Sequence, residues 1–370
     1  MAPVHYHFDQ FPPNNLEWGH LIPLIGPANA AIARYDGLLS AIPNSRVLLS
    51  PLTTQEAVLS SRIEGTVATI GEVLEVEAGG DTPGISPAKR EDAFEILNYR
   101  KAMRFCENAL QERALSPHLL RQAHQLLMAG VRGRDKNPGS FREQQNWIGN
   151  PGCSIDNASF VPIPQAHLTE GIGRWEQYVA GGAPDPLVQL AIIHAEFEAL
   201  HPFMDGNGRL GRMIIPLFLH SRGILSGPHF YISAYLDANR DEYLDRLRAV
   251  SATGDWTQWV MFFLQGLQIQ AKDNEAKARR ILELYAEIKE RAVEITHSQW
   301  AIRAVDFLFQ TPFFYGTHFV DQVNIPKASA NRMLALLREH GIVHTIRQGV
   351  GRRPSLYSFP QLVDVVEGRA

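Results

Sequence analysis

From Pro87 to about His297 the chain reads as one amphipathic helix after another, with apolar residues returning every three or four positions. That periodicity confines it to a mainly α architecture. Helices are expected over 90–109, 117–128, 165–179, 187–200, 209–220 and 240–249, and over 256–296 as one or two long segments. Upstream, 28–39 and 54–77 carry the same pattern, the second opening at a Thr53/Thr54 cap with Glu56 close behind. One stretch breaks the rule. Residues 140–164 are rich in Gly, Pro and Asn, with Trp147-Ile148 and Phe160-Val161 as short apolar pieces, which suits a β-hairpin and not a packed helix. Pro12, Pro13, Asn14 and Asn15 mark a loop near the start, and 79–84 mark another on the surface.

The tail from Ser298 changes character. Helices are expected over 300–309 and 327–340, the latter stopping at Gly341. Strands at 342–346 and 356–359 then flank a basic loop, 347–353. Helices followed by a β-hairpin suggest a winged-helix domain. Its eight Lys and Arg against five Asp and Glu make it mildly basic.

The chain has 370 residues, 45% hydrophobic and 20% charged, enough for two or three cored domains. Lys and Arg total 35 against 39 Asp and Glu, a net charge of −4, which excludes binding nucleic acid or membrane by bulk charge. Cys106 and Cys153 are too few for a disulfide framework or a four-thiolate zinc site, which fits a reducing compartment. No apolar run nears the ~20 residues that span a bilayer. The first residues also lack the basic-then-apolar order of a secretory leader. The expectation is a soluble cytoplasmic protein.

Chemistry concentrates in twelve residues, HPFMDGNGRLGR, from His201 to Arg212. A glycine-rich turn entering a helix gathers backbone N–H groups at its positive end, a ready anion site. Gly206 and Gly208 allow positive φ and close approach to a ligand. Arg209 and Arg212 lie one turn apart at that helix start, where the macrodipole disfavours cations. A bound polyanion compensates, and guanidinium forks suit phosphate oxygens. Asp205 is placed as a Mg²⁺ ligand, since that ion takes one or two carboxylates beside phosphates. His201 is placed to accept a hydroxyl proton. Each residue alone also suits a plainer role: Asp205 or Asn207 as a helix cap, the glycines as a turn, His201 as a loop histidine. Their concentration in so short a stretch favours the phosphate site. His194, Glu198 and His201, spaced four and three apart, offer a zinc alternative. It lacks the His-Glu-x-x-His pattern, and Pro202 ends the helix near His201.

The 201–212 segment resembles the signature of the Fic family, most of whose members transfer AMP from ATP to a protein hydroxyl. Residues 87–260 are similar to the Fic core, and the two ends to the flanks of bacterial Fic proteins. The resemblance implies a mainly α fold, a Fic-type helical bundle with a β-hairpin flap and a C-terminal winged-helix domain. It implies four consecutive segments: 1–86 with an inhibitory motif, 87–270 catalytic, 271–297 a helical linker, and 298–370 the winged helix. It also implies roles. His201 would be the general base toward a target Ser, Thr or Tyr, and Phe203 would anchor the loop. Asp205 would hold Mg²⁺. Gly206, Asn207 and Gly208 would form the anion hole, Arg209 and Arg212 would meet the outer phosphates, and Gly211 completes the nucleotide-binding set. Gly208, where the related Doc-type kinases carry lysine, argues for nucleotidyl transfer over phosphorylation.

Residues 60–65, SSRIEG, resemble the family's inhibitory helix motif. The resemblance pairs Glu64 with Arg212, in the space a γ-phosphate needs, with Ser60 as the motif's first residue. A carboxylate does carry a phosphate's charge toward a guanidinium; alone, Glu64 reads as a helix-surface residue near Arg62. Residues 157–164 resemble the flap that aligns a target's backbone by strand addition, with Ser159, Phe160 and Val161 as its positioning residues and 139–149 as its support. Tyr243, within 231–248, resembles a residue that closes over adenine, or is a helix-core aromatic. The implied protein is a self-inhibited adenylyltransferase using ATP and Mg²⁺, acting on protein targets including itself. A homodimer setting Glu64's helix beside another subunit's site would make inhibition depend on concentration. Two other readings share the site: a hydrolase that removes AMP, with Glu64 positioning water, and a nucleotide-sensing regulator whose tail binds DNA through Arg347, Arg352 and Arg353.

Overall fold

The computed structural model describes every residue except 1, 41, 43–44, 80–83, 133–134, 352–353 and 370. The chain begins with a two-residue strand, β1 (Val4–His5), and helix α1 (Trp18–Ser40), followed by α2 (Ser45–Leu48), α3 (Ser50–Ile63) and α4 (Ile70–Ala78). The single helix expected over 54–77 is therefore two. Gly65, at φ 98°, ends the first in a conformation that other residues rarely take. The second restarts at Thr69, whose hydroxyl accepts the Glu72 N–H while the Glu72 carboxylate accepts the Thr69 N–H. The cap expected at Thr53/Thr54 falls inside α3, where the Thr54 hydroxyl donates back to the Ser50 carbonyl.

Helices α5 (Pro87–Ala109) and α6 (Pro117–Leu127) precede strand β2 (Phe160–Val161). Then come α7 (Gln165–Ala180), α8 (Pro186–Leu200), α9 (Asn207–Ser221), α10 (Ser233–Ala238) and α11 (Arg240–Thr253). Helix α12 (Trp256–Thr296) is one continuous element of 41 residues. The tail holds α13 (Ala301–Gln310), β3 (Phe313–Tyr315), α14 (Gly316–Gln322), α15 (Lys327–Glu339), β4 (His344–Arg347), β5 (Leu356–Ser358) and α16 (Pro360–Glu367). Its three strands form an antiparallel sheet in the order β3-β5-β4. Strand β3 and helices α14 and α16 were not expected: each is short, and for β3 and α14 the aromatic packing of Phe307 with Phe314 and Phe319 takes the place of periodicity. In the expected basic loop, Arg347 is tied to Glu75 Oε1 at 2.9 Å and to the Tyr315 hydroxyl at 2.8 Å. Arg352 and Arg353 lie outside the described residues, as do 80–83 of the expected surface loop.

The chain divides into two compact units. One comprises 1–36, 59–65 and 98–272; the other comprises 37–58, 66–97 and 273–370. This division differs from four consecutive segments because α3 and α5 each contribute to both units, and the turn carrying Glu64 counts with the first. The first unit is built around α8, which is buried on nearly every side, as a helix that is apolar all round must be. Trp175 and Trp259 pack on it and donate their indole N–H groups to the carbonyls of Ile193 and Ala191. Burying such side chains stabilises the unit by about 2 kcal/mol apiece or more. No described helix is long and apolar enough to cross a membrane.

The expected hairpin in 140–164 is there in part. Phe160 and Ile148 exchange two backbone bonds, at 2.9 and 3.1 Å. The longer partner of β2, however, is β1, which runs parallel to it with Val4 opposite Phe160 and His5 opposite Val161. The Tyr6 N–H donates to the Val161 carbonyl at 3.0 Å and the Val4 N–H to that of Ser159 at 3.4 Å. Both edges of β2 are thus occupied by this chain. A buried carboxylate makes a strand of residues that read as loop: Glu196 accepts from the Tyr6 hydroxyl at 2.7 Å and bonds His7 Nε2 at 2.9 Å.

Candidate active site

Pro202 cannot continue α8, and His201 caps the helix in the left-handed region, at φ 46° and ψ 59°. For a residue with a side chain that conformation costs ~1 kcal/mol or more. A dense set of bonds holds it. The Arg142 guanidinium donates to the carbonyls of His201 at 3.0 Å, Gln144 at 3.1 Å and Ile163. The Asn146 amide donates to the carbonyl of Phe203 at 2.9 Å. Phe203 is fully buried, stacked on His124 with centroids 3.9 Å apart. His124 accepts the Gly139 N–H at Nδ1, so its Nε2–H donates to the Asp205 carbonyl at 2.9 Å. The 139–149 stretch therefore braces both the 201–212 loop and, through the bond from Gln145 to the Pro162 carbonyl, the β2 segment.

His201 Nδ1 lies 3.3 Å from the Glu198 carbonyl, an acceptor, so Nδ1 carries the proton and Nε2 has a lone pair. Burial, reinforced by Arg142, pushes the imidazole down to about 4, and Glu64 and Asp205 offset that in part. The ring is neutral at pH 7.

The turn into α9 is set by Gly206, at φ 77°, where a Cβ would also press on Met128 Sδ at 2.9 Å. Asn207 folds the loop instead of pointing outward: its side chain accepts the Phe203 N–H at 2.8 Å and donates to the Phe203 carbonyl at 2.7 Å. Asn207, Gly208 and Arg209 open α9, so their N–H groups have no intrahelical acceptor. The Gly206 N–H, expected in the anion hole, is instead donated to Asp205 Oδ1 at 2.6 Å. Asp205 is 44% exposed and 3.7 Å from the buried Arg209 guanidinium. Among the described residues no group of three or more His, Cys, Asp or Glu could hold a metal. A cation here would rest on Asp205 and on ligand oxygens, a donor set that fits Mg²⁺.

Arg212 is 1% exposed. Its Nε donates to the Ser60 hydroxyl at 2.9 Å, and its Nη2 donates to the Ser60 carbonyl at 2.8 Å and to Glu64 Oε1 at 2.6 Å. Burial pushes the Glu64 carboxyl up, but the Arg212 guanidinium, with Arg209 and His201 behind it, more than reverses this and holds it below its ordinary value. Arg62, the expected neighbour of Glu64, pairs with Asp237 instead, at 3.5 Å. The Arg240 guanidinium donates to the Ile63 carbonyl at 3.2 Å and fixes the end of α3. A Cβ on Gly208 would collide with Glu64 Oε1, so glycine there makes room for the carboxylate.

These residues face one cavity of about 200 Å³, lined by Glu64, Ser159, Phe160, Glu198, His201, Gly208, Arg212 and the apolar side chains of Leu244 and Leu247. Val161 is buried beside it in β2. Tyr243 also lines the cavity, yet it is 1% exposed, and its hydroxyl lies 2.9 Å from His194 Nε2, as a helix-core aromatic would. Two participants, His124 and Glu198, were not read from sequence as part of this site, and Arg142 was read only within the 139–149 support, because the fold brings their partners from afar. Glu198 was weighed as a zinc ligand. Its Oε1 is buried with no hydrogen-bond partner, against Gly211, where a Cβ would collide with it. Burial pushes this carboxyl up to about 7, with Arg212 opposing and Glu64 reinforcing the shift.

Two family profiles match the chain: Fic/DOC family N-terminal over residues 22–107, and Fic/DOC family over residues 114–219. A protein adenylyltransferase, fic-1, of Caenorhabditis briggsae is 24% identical over 227 residues, 60% of this chain. The chain covers 39% of that relative's length. A probable protein adenylyltransferase of Aquifex aeolicus is 36% identical over 95 residues, 25% of this chain and 27% of the relative. The crystal structure of a Fic family protein from Desulfovibrio desulfuricans G20 superposes with a TM-score of 0.60 at 20% identity, covering 94% of this chain and 98% of that one. The chain carries Fic/DOC family domains on a mainly helical Fic fold.

Proposed function

We propose that the chain is a protein adenylyltransferase held in check by its own Glu64. The relatives named as adenylyltransferases support the reaction class. The observation that carries the reading is the 2.6 Å pair between Glu64 and Arg212 at the mouth of the 201–212 loop. It places a carboxylate where an anionic ligand would meet the buried guanidinium.

In this reading the N–H groups at the start of α9 and the guanidinium groups of Arg209 and Arg212 bind the polyphosphate of ATP. Asp205 would hold Mg²⁺, which when bound neutralises phosphate charge. His201 Nε2 takes the proton of a target Ser, Thr or Tyr hydroxyl as that oxygen bonds to the α-phosphorus. The bond from the α-phosphorus to the bridging oxygen breaks, and pyrophosphate leaves with its electron pair. Positioning and preorganised charge supply most of the acceleration. Target docking by strand addition at 159–161 requires β1 to give up its edge of β2, since the other edge is taken by Ile148.

The test is mass spectrometry of the full chain carrying Glu64→Gly after incubation with ATP and a cell lysate. AMP adducts on target proteins or on the chain itself are expected, and none when His201→Ala is added. Adducts that persist with His201→Ala, or a Glu64→Gly chain that forms none, contradict the reading.

A further inference from the structure

The last turn of α3, which leads into Glu64, is gripped by two arginines from elsewhere in the chain. A helix leaves the carbonyls of its last four residues without an intrahelical partner. In α3 these belong to Ser60, Ser61, Arg62 and Ile63. The chain's own tightened turn satisfies two of them: the Glu64 N–H donates to the Ser61 carbonyl at 3.0 Å and the Gly65 N–H to the Arg62 carbonyl at 2.9 Å. Guanidinium groups meet the other two. Arg212 Nη2 donates to the Ser60 carbonyl at 2.8 Å, and Arg240 Nε donates to the Ile63 carbonyl at 3.2 Å. Cations suit the negative end of a helix. Arg240 opens α11, where the dipole of its own helix disfavours it; its compensation is the carbonyl next to Glu64. A second contact joins the same two parts of the chain. Half-exposed Arg62 pairs with Asp237 of α10 at 3.5 Å. The α10–α11 corner thus holds both residues that directly precede Glu64.

We infer that Arg240, with the Arg62–Asp237 pair beside it, is a positioning residue that keeps Glu64 seated on Arg212, so that the α10–α11 corner sets the strength of self-inhibition. The inference rests on the adenylyltransferase reading and locates what holds its inhibitory carboxylate in place. Glu64 reaches Arg212 from a side chain that is 40% exposed, so its aim depends on the backbone that carries it. Arg212 fixes that backbone at Ser60, one turn earlier, whereas Arg240 fixes it at Ile63. Without Arg240 the Ile63 carbonyl turns to water, the last turn frays, and Arg212 is freed for phosphate. Arg240 also lies on the cavity wall, where a ligand could meet it. Losing a ligand contact would slow transfer; losing the grip on Glu64 would speed it.

Those opposite signs are the test. Arg240→Met keeps the aliphatic stem and removes the guanidinium. Labelled AMP incorporation by the full chain is measured with this change in the parent and in the Glu64→Gly background, beside amide exchange of the peptide spanning Glu64 and Gly65 in the parent background. With Glu64 present, the expected rate is about tenfold higher, the usual worth of a hydrogen bond from a charged group, and exchange across the turn speeds by a similar factor. With Glu64→Gly the same change gives no gain. Asp237→Asn, which breaks only the partly exposed pair, shifts both readouts the same way by about twofold. A slower rate with Glu64 present, an equal gain without Glu64, or unchanged exchange across the turn overturns the inference. If Arg240→Met does not fold, the same outcomes are read from Asp237→Asn. A Glu64→Gly chain that transfers no AMP, while Arg240→Met still speeds exchange, would sink the enzymatic reading and uphold the seating of Glu64 by Arg240.

Discussion

At the left-handed end of α8, glycine would be the relaxed choice, yet the chain carries His201 there, at φ 46°. The strain is tolerated because Arg142 and Asn146 fix the carbonyls on either side of Pro202. Replacing His201 by Gly should therefore give a chain more stable than His201→Ala by ~1 kcal/mol, measured by urea unfolding, although both lack the imidazole. Glu198 gives a second expectation. Its carboxyl is raised to about 7 in the folded chain, so the fold holds that proton more tightly than the unfolded chain does. The stability this contributes is complete below the ordinary carboxylate value near 4.5 and is lost as pH rises through 7. Glu198→Gln cannot lose the proton, so its melting temperature should fall less than that of the parent between about pH 5 and pH 8. Parallel pH profiles for the two would show that Glu198 titrates as an ordinary carboxyl.

Among the elements, α8 and α9 were legible because their signals are local: apolar residues at helical spacing, Pro202 at one end, Gly206 at the other start. The break after Glu64 was missed. Thr69 and Glu72 form a capping box that the apolar run through Val67 and Ile70 hides. Strand β1 was also missed, since two residues carry no periodicity and their hydrogen bonds go to a segment more than 150 positions away. Its anchor can be tested. Tyr6→Phe leaves Glu196 Oε1 without the donor now 2.7 Å away. It should destabilise the chain by about 1–3 kcal/mol and speed amide exchange at Tyr6, whose N–H is held by Val161. Unchanged exchange there would mean that β1 is held on β2 by other contacts.

Over the whole molecule, twelve consecutive residues and a six-residue motif near the start were enough to point to the site. The structure brings some of these residues together: Ser60 and Glu64 meet Arg212, and His201 opens onto the same cavity. What sequence spacing could not supply is the set of partners that His124 and Arg142 find from α6 and from the 139–149 stretch, the carbonyls of Asp205 and His201. The division into units was hidden for the same reason, because the turn carrying Glu64 counts with residues 98–272 although the chain reaches it far earlier. The account's central claim is that one guanidinium is contested by a carboxylate of the chain and the phosphates of a nucleotide. The most direct measurement is the rate of labelled AMP incorporation by the full chain against its Glu64→Gln variant, which keeps the shape of that side chain and removes its charge. The account expects the variant to be faster by about tenfold or more, the effect of losing one charge-assisted hydrogen bond; equal rates would contradict it.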